Sequence, residues 1–347
     1  MKKVAVIMGG KGSEHDVSIN SGMQVLKNLD REKYEPLKVV IQKNGIWEVG
    51  DVLCPFTGGL EELLAQEVDV AFLALHGTWG EDGTIQGVLE YTGIPYTGSD
   101  GIASGVAMDK QLSRQLFHLH GIRVPAGMVV TISNWEKSIQ LIERTCGYPC
   151  VVKPLRDGSS VGVELVSDVF ALTRILQHSA QKTLLAEAKI EGVEVTGGVL
   201  DIPGNPIPQA LPPTQIIPKE AAFFDYHSKY TPGATEEVTP PNLSPEIIQN
   251  IQEIALQCHG ILGCKGISRT DMIVANDGIY VLETNTLPGM TETSLLPQQA
   301  QAIGMTFPAM ITAIIEGALE SYSKSQKDTS VLSSKPPTQD KGAEQSA

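Results

Sequence analysis

The residue types best suited to chemistry cluster towards the C-terminal end of the chain: Arg269, Asp271, Glu283 and Asn285. They flank two runs of alternating apolar residues, 272–275 and 279–282, separated by Asn276-Asp277-Gly278. That tripeptide suits a three-residue hairpin loop with glycine in the left-handed position. With such a loop Ala275 faces Ile279, and counting outward sets Asp271 opposite Glu283 and Arg269 opposite Asn285. Side chains on a strand alternate with period two, so all four lie on one face. Two carboxylates and a carboxamide are the oxygen donors that Mg²⁺ takes, with water and substrate phosphates completing its shell. An exposed hairpin whose polar residues are merely solvated fits the same pattern, and the hairpin alone does not decide between the two.

The elements that must position this face read as an α/β and α+β chain of 347 residues, long enough for two or three domains. Apolar content of 41% with 19% charged residues fits a globular protein. A net charge of −14 argues against nucleic-acid binding, so an anionic ligand must be held by local cations, helix N-termini or metal. The apolar run 4–8 is cut short by glycines, too early for a signal peptide, and no run is long enough to span a bilayer. Five cysteines, an odd number without Cys-x-x-Cys spacing, argue against structural zinc and a disulfide framework and point to a reducing cytoplasm.

Residues 4–8, Gly9-Gly10-Lys11-Gly12 and the helical pattern through Val17, Met23 and Leu26 make a strand, glycine turn and helix, the opening of a doubly wound parallel sheet. His15 stands where the third glycine of a dinucleotide fingerprint belongs, and Glu14 where pyrophosphate would sit, which rejects a nicotinamide or flavin site. Ser13-x-x-Asp16 reads as a capping box, with Glu14 either a helix-dipole carboxylate or aimed at a substrate ammonium. Strands at 37–41 and 68–74 follow; the second runs into a loop carrying His76, Glu81 and Asp82, where parallel sheets place ligands. Taken alone, Asp82 is a plain N-cap and His76 a satisfied loop histidine.

A boundary falls near Gly98, and the periodicity predicts one helix over 108–120 with Lys110 at its start, where the helix dipole offers a cation nothing. A helix over 135–146 precedes a strand ending in Lys153-Pro154 and a small polar loop, 158–162, suited to cradling phosphate oxygens or to being a plain hairpin turn. A strand over 184–187 leads to Glu187, Glu191 and Glu194, and 202–245 reads as a long irregular stretch holding a lid around Lys229 and Tyr230. A helix opened by Ser244-Pro245 ends near Gly263, a last amphipathic helix covers 307–319, and 321–347 reads as a disordered tail. The expected domains are therefore 1–98, a central subdomain 99–186, a C-terminal domain 187–320 and the tail 321–347.

Set in order, Gly9-Gly10 with Ser13-Glu14, Leu75-His76-Gly77 with Gly80-Glu81-Asp82-Gly83, Met108-Asp109-Lys110, Val152-Lys153-Pro154, residues 158–162, Asp225-Tyr226 with Lys229-Tyr230, Arg269-x-Asp271 and Glu283-x-Asn285-Thr286-x-Pro288-Gly289 resemble the D-alanine:D-alanine ligases, enzymes of ATP-grasp architecture. The resemblance runs from about residue 1 to 320. It implies an N-terminal parallel-sheet domain and two α+β domains that sandwich ATP. By the same resemblance Lys110 and Lys153 hold the α- and β-phosphates, Ser160 belongs to the loop covering them, Lys229 to the lid, and Glu187 and Glu194 lie near adenine and ribose. Asp271, Glu283 and Asn285 match ligands of two Mg²⁺ ions, with Mn²⁺ as a substitute. Glu14, Ser159 and Tyr230 match a trio around the first D-alanine; His76, Arg269, Gly289, Ser294 and Leu295 match residues around the reacting carboxylate and the second. A homodimer, acting on D-alanine and ATP in the cytoplasm with no nucleic-acid or membrane partner, is what the family implies.

Two positions depart from the family pattern: Glu187-Ala188-Lys189, where Glu-Lys and an aromatic are common, and His227, often acidic. The rival readings are a sister ligase forming D-alanyl-D-lactate or D-alanyl-D-serine, a non-catalytic amino-acid-binding protein, and a carboxylase-type ATP-grasp subunit. The Lys229-Tyr230 pair resembles the dipeptide-forming branch.

Overall fold

The computed structural model describes residues 1–158, 162–219 and 234–332. Three sheets form, and each is built by a different pattern. Strand β1 (Lys2–Gly9) is buried on both faces from Val4 onward, as an uninterrupted apolar run demands of a central parallel strand. It lies between β2 (Tyr34–Ile41) and β5 (Val70–Leu73), parallel to both. An edge hairpin that the sequence reading lacked, β3 (Trp47–Val49) and β4 (Val52–Cys54), completes the order β4-β3-β2-β1-β5. Gly9 turns the chain at φ +92, where a side chain would strike the Ile41 carbonyl. Helices α1 (His15–Asn28), α2 (Phe56–Ala65) and α3 (Thr84–Thr92) belong to this layer.

The capping box expected at Ser13 does not form. The N-cap is Glu14, and its side chain makes no cap hydrogen bond, because it turns instead into a cavity. Asp82 caps only partly: Gly83 is the N-cap of α3, while Asp82 accepts from the Thr84 amide at 3.1 Å and the Trp79 amide at 2.9 Å.

The helix expected over 108–120 is two helices, α4 (Gly101–Met108) and α5 (Lys110–Leu119), broken at Asp109. Asp109 competes with the helix by accepting the Gln111 and Leu112 amides, the side-chain-to-backbone bonding that makes aspartate an N-cap.

The second sheet is antiparallel, in the order β6-β9-β7-β8, from β6 (Gly127–Thr131), β7 (Cys150–Pro154), β8 (Glu164–Val166) and β9 (Thr183–Ala188). Helices α6 (Trp135–Cys146) and α7 (Val169–His178) share its core through Ile142, Leu172 and Leu176.

The third sheet runs β13-β12-β10-β14-β15, with β11 (Gln209–Ala210) paired to β10 (Val193–Leu200). Strands β12 (Thr214–Pro218) and β13 (Thr235–Val238) lie in the stretch expected to be irregular; Pro218 ends β12, and Pro212, Pro213, Pro240 and Pro241 fall between strands or after them. Ser244 caps α8 (Pro245–Leu262) and Gly263 closes it in the left-handed conformation, as the sequence indicated. Strands β14 (Ile267–Ala275) and β15 (Gly278–Asn285) form the hairpin.

Packing and strand ranges cross two of the expected boundaries. Ala107 and Phe117 of α4 and α5 pack with Cys258, Leu262 and Val281, so the stretch after Gly98 joins the core of the third sheet. The 186/187 boundary cuts through β9, which carries Glu187 in the second sheet. After α9 (Leu295–Ala302), helix α10 (Phe307–Leu332) returns to the first sheet and buries Met310, Ile311, Ile314 and Ile315 with Val4, Val6 and Phe72. The helix therefore continues beyond the expected end at 319 into the stretch read as a tail, helped by the Lys324–Glu320 ion pair at 2.7 Å and by the Tyr322 hydroxyl on the Gly93 carbonyl.

Glu316 fastens α10 to the first sheet: Lys2 Nζ lies at 2.8 Å and the Tyr34 hydroxyl donates at 2.6 Å. Burial pushes its carboxyl up, but Lys2 and Tyr34 outweigh that and hold it below the ordinary glutamate value. A carboxylate depressed in the folded state stabilises above its unfolded pKa, and that contribution disappears as pH falls through the folded value. Glu316→Gln should lower stability at pH 7 by about 1 kcal/mol, the pair being partly exposed, and the difference from wild type should shrink as pH falls below the ordinary glutamate range. Thermal melts at several pH values measure it.

Candidate active site

The hairpin ends reach the expected pairing by another route. Ala275 pairs with Gly278, not Ile279, leaving a two-residue turn at Asn276-Asp277. The register is recovered at a bulge, where Met272 pairs with Val281 and Asp271 with Glu283, so that Leu282 is the extra residue. Arg269 then pairs with Asn285 as counted. The bulge sets Leu282 beside Glu283 and Ile273 on the wall of one cavity, while Asn285 faces a second.

The first cavity, about 390 Å³, is lined by Glu14, His76, Arg269, Asn285, Gly289 and Ser294 among others. The second, about 400 Å³, is lined by Lys153, Glu187, Glu194, Asp271 and the apolar Val151, Leu165, Ile190 and Leu282. Lys110, Asp157, Gly158 and Glu283 line both, so the two spaces meet there. The second cavity combines charged side chains with an apolar patch, the first is lined mainly by polar residues, and Lys110 and Gly158 stand where they meet.

At the junction Lys110 Nζ donates to the Asp157 carbonyl at 2.7 Å and lies 3.3 Å from Glu283 Oε2. Lys153 Nζ is 2.5 Å from Glu187 Oε2, and the other oxygen of Glu187 pairs with Arg114, which also donates to the Pro125 carbonyl. Burial lowers the Arg114 pKa to about 10, still charged at neutral pH. Arg114 was not among the residues found from sequence, yet it lies four residues after Lys110 on α5, the spacing that brings side chains onto one helix face. At the rim, Ala188 takes a place among the wall residues and Lys189 Nζ lies 3.5 Å from Glu191.

Arg269 grips Asp271 by two parallel bonds of 2.9 Å each, from Nε and Nη2, and Thr196 donates to Asp271 Oδ1 at 2.7 Å. Asn285 Oδ1 accepts the Leu287 amide at 2.9 Å, which fixes its carbonyl oxygen and leaves that atom a second lone pair. Two carboxylates and this oxygen, on two rungs separated by the Thr270–Thr284 pair, fit a Mg²⁺ site completed by water and phosphate. Among the described residues no group of three His, Cys, Asp or Glu side chains could hold a metal without such help.

Glu14 is buried against two glycines, Gly77 of the β5 loop and Gly158, where a Cβ would lie 2.7 Å from its Oε2. Neither position tolerates a side chain while Glu14 points there. Ser294 is the N-cap of α9, its Oγ accepting the Thr291 amide at 3.1 Å, and a Cβ on Gly289 would come within 2.8 Å of that Oγ. Leu295 beside it is buried. Ser159, Ser160, Lys229 and Tyr230, with the departure at His227, lie outside the described residues.

His76 joins the first sheet to the loop after β15. The Met290 amide donates to Ser21 Oγ at 3.3 Å, Ser21 Oγ lies 2.9 Å from His76 Nε2, and Nδ1 donates to the Leu287 carbonyl at 3.1 Å. The carbonyl can only accept, so it fixes the proton on Nδ1. Burial pushes the imidazole pKa down, but Glu81, 3.6 Å away, together with Glu14 and the Leu287 carbonyl, outweighs it and holds the pKa above the ordinary histidine value; burial in turn raises Glu81. Glu81→Gln removes the largest of the upward influences and leaves burial in place, so the His76 pKa should fall below that of wild type, as an NMR titration of the ring proton would measure. An unmoved titration would contradict the pairing.

Family models described as D-ala D-ala ligase N-terminus and D-ala D-ala ligase C-terminus match residues 3–99 and 116–316. A D-alanine--D-alanine ligase of Syntrophobacter fumaroxidans is 43% identical over 91% of this chain and 97% of its own. Among solved structures, the Bacillus anthracis D-alanine--D-alanine ligase complexed with ATP superimposes with a TM-score of 0.74 at 33% identity, over 94% of this chain and 100% of that one. The Enterococcus faecalis VanG D-Ala:D-Ser ligase gives 0.78 at 32% identity, over 91% and 99%. Among the described residues no single helix is long and apolar enough to cross a membrane.

Proposed function

Because the chain belongs to the D-alanine--D-alanine ligase family, with its ATP-grasp fold, we propose that it condenses two D-alanines to D-alanyl-D-alanine at the expense of ATP, for cell-wall peptidoglycan synthesis. The observation that carries this reading is the meeting, at Lys110, Gly158 and Glu283, of one cavity lined by Glu14, Arg269 and Ser294 with another lined by Lys153, Glu187 and an apolar patch. The alternative, a ligase taking D-lactate or D-serine second, is not favoured over it, although a D-Ala:D-Ser ligase is similar in structure.

A carboxylate is a poor electrophile, and phosphorylation makes it one. A carboxylate oxygen of the first D-alanine attacks the γ-phosphorus, the bond to ADP breaks, and an acyl phosphate remains. Lys110 and Lys153 are assigned to the phosphates and Glu187 and Glu194 to the nucleoside end. Support comes from the place of all four on the walls of the second cavity. Asp271, Glu283 and Asn285 would hold Mg²⁺, which on binding neutralises phosphate charge. Glu14 is assigned to the ammonium of the first D-alanine, closed in by Gly77 and Gly158, with Ser159 and Tyr230 completing the trio; Ser160 and Lys229 belong to the loop and lid over ATP.

The second D-alanine, seated near Ser294 and Leu295, gives up its ammonium proton and its free amine attacks the acyl carbon. The tetrahedral oxyanion then collapses, the C–O bond to phosphate breaks, and the nitrogen releases a second proton to the departing phosphate or to water. Arg269 and the Gly289 N–H are assigned to that oxyanion, and His76 to its neighbourhood. Asp271 orients the guanidinium by taking two of its five donors. The same reading includes two Mg²⁺ ions, with Mn²⁺ as a substitute, a homodimer and a cytoplasmic site of action.

The test is ADP release from Mg-ATP with no amino acid, D-alanine, L-alanine, or D-alanine plus D-lactate, with products identified by mass. Turnover confined to D-alanine and yielding the dipeptide supports the reading. Turnover with another acceptor, or ATP binding without turnover on any of them, overturns it.

A further inference from the structure

Glu237 lines the first cavity together with Arg269, Thr293, Ser294 and Leu295. It stands on β13, where its partner across the ladder is Ile216, and Ile216 packs against Leu295. Gln298, one turn of α9 beyond Ser294, donates its side-chain amide to Glu237 Oε2 at 2.5 Å and to the Thr293 carbonyl at 2.7 Å. The carboxylate is thus tied to the helix whose start carries Ser294 and Leu295.

The other acidic groups of this cavity are differently placed. Glu81 faces His76, Glu283 faces Lys110, and Asp16 pairs with Lys43. Asp157 accepts its neighbour's amide at Gly158, and Glu14 lies against Gly77 and Gly158 on the wall made by the first sheet's loops. Glu237, partly buried, has no lysine or arginine nitrogen within ion-pair distance among the described residues, although Arg269 is near enough for its charge to be felt. Burial pushes its carboxyl up, with Gln298 and Arg269 opposing. A carboxylate held in a partly desolvated wall by an amide is set to gain strongly from an ammonium group.

We propose that Glu237 receives the ammonium of the second amino acid and so makes this end of the cavity prefer an amine acceptor over a hydroxy acid. Two zwitterionic substrates then meet two carboxylates on different walls, Glu14 for the donor and Glu237 for the acceptor. A hydroxy acid, having no positive charge, gains nothing from the second. This rests on the reading of the protein as a ligase of two amino acids.

The experiment uses the full chain with saturating Mg-ATP, fitting the D-alanine dependence to separate constants for the two sites. Glu237→Gln keeps the shape and removes the charge. It should raise the acceptor KM by about tenfold or more, with the donor constant and the KM for ATP unchanged within about twofold. Glu237→Asp should recover part of the loss. In an equimolar mixture of D-alanine and D-lactate the share of depsipeptide should rise in Glu237→Gln. An unchanged acceptor KM overturns the assignment. So does a common shift of all three constants with a lowered melting temperature, which marks a structural role. Wild-type protein that forms no dipeptide in the same assay overturns instead the ligase reading.

Discussion

Arg114→Ala should destabilise the protein by about 3–5 kcal/mol, the cost of leaving one charge of a buried pair without its partner. Glu187 is 2% exposed, and its two oxygens are divided between Arg114 and Lys153. Removing the guanidinium leaves one oxygen facing the space the side chain filled, beside the Pro125 carbonyl that also loses its donor. The same change should weaken ATP binding, because Lys153 then bears the whole charge of Glu187 and is held to it more firmly. Thermal denaturation should show the midpoint down by at least about 5 °C. Arg114→Lys should keep the charge but, with a single donor group, fail to bridge Glu187 and the Pro125 carbonyl as well, and fall between. A shift within about 1 °C for Arg114→Ala would mean that the three-charge cluster is not held as described.

The largest kinetic effect belongs to Glu283→Gln, for which kcat should fall by about a thousandfold or more, the scale of losing several kcal/mol of charge stabilisation at a transferring phosphoryl group. Two roles are proposed for Glu283: as one of three oxygen donors to Mg²⁺ on the hairpin face, and as the partner of Lys110, 3.3 Å away where the cavities meet. Its side chain is 28% exposed, so folding should survive and the melting temperature should stay near wild type. Titration of activity with Mg²⁺ separates the roles. Loss of a metal ligand raises the Mg²⁺ needed for half-maximal rate, whereas loss of the lysine partner alone raises only the KM for ATP. An unchanged Mg²⁺ requirement would remove Glu283 from the metal site.

The hairpin shows how much of the site was legible and by what logic. Alternation and an Asn-Asp-Gly turn were enough to bring Asp271 opposite Glu283, yet the loop is one residue shorter than expected and Leu282 makes up the difference as a bulge. Turn length and bulge are two errors of opposite sign, and period-two counting cannot detect either because their sum is zero. Helix ends marked by side chains with one meaning, Ser244-Pro245 and Gly263, were read correctly. Asp109 was missed as a break because apolar periodicity runs through it on both sides.

Packing partners were the least legible. The apolar faces of α4 and α5 declare that they are buried but not against which sheet, and the same holds for α10, which crosses back to the first sheet from the far end of the chain. Long-range ties such as Arg114 to Glu187 and Gln298 to Glu237 have no local pattern to announce them, beyond the shared helix face of Lys110 and Arg114.

The measurement that reaches the central claim most directly is the fate of oxygen from the substrate carboxylate. With D-alanine labelled with ¹⁸O at both carboxylate oxygens, attack on the γ-phosphorus makes one labelled oxygen the bridge of the acyl phosphate, and the amine then expels it with the phosphoryl group. Mass analysis should find one ¹⁸O in each inorganic phosphate released, alongside the dipeptide and ADP. Unlabelled phosphate, or label in AMP instead, would show that the carboxylate is not activated by γ-phosphoryl transfer and would contradict the account.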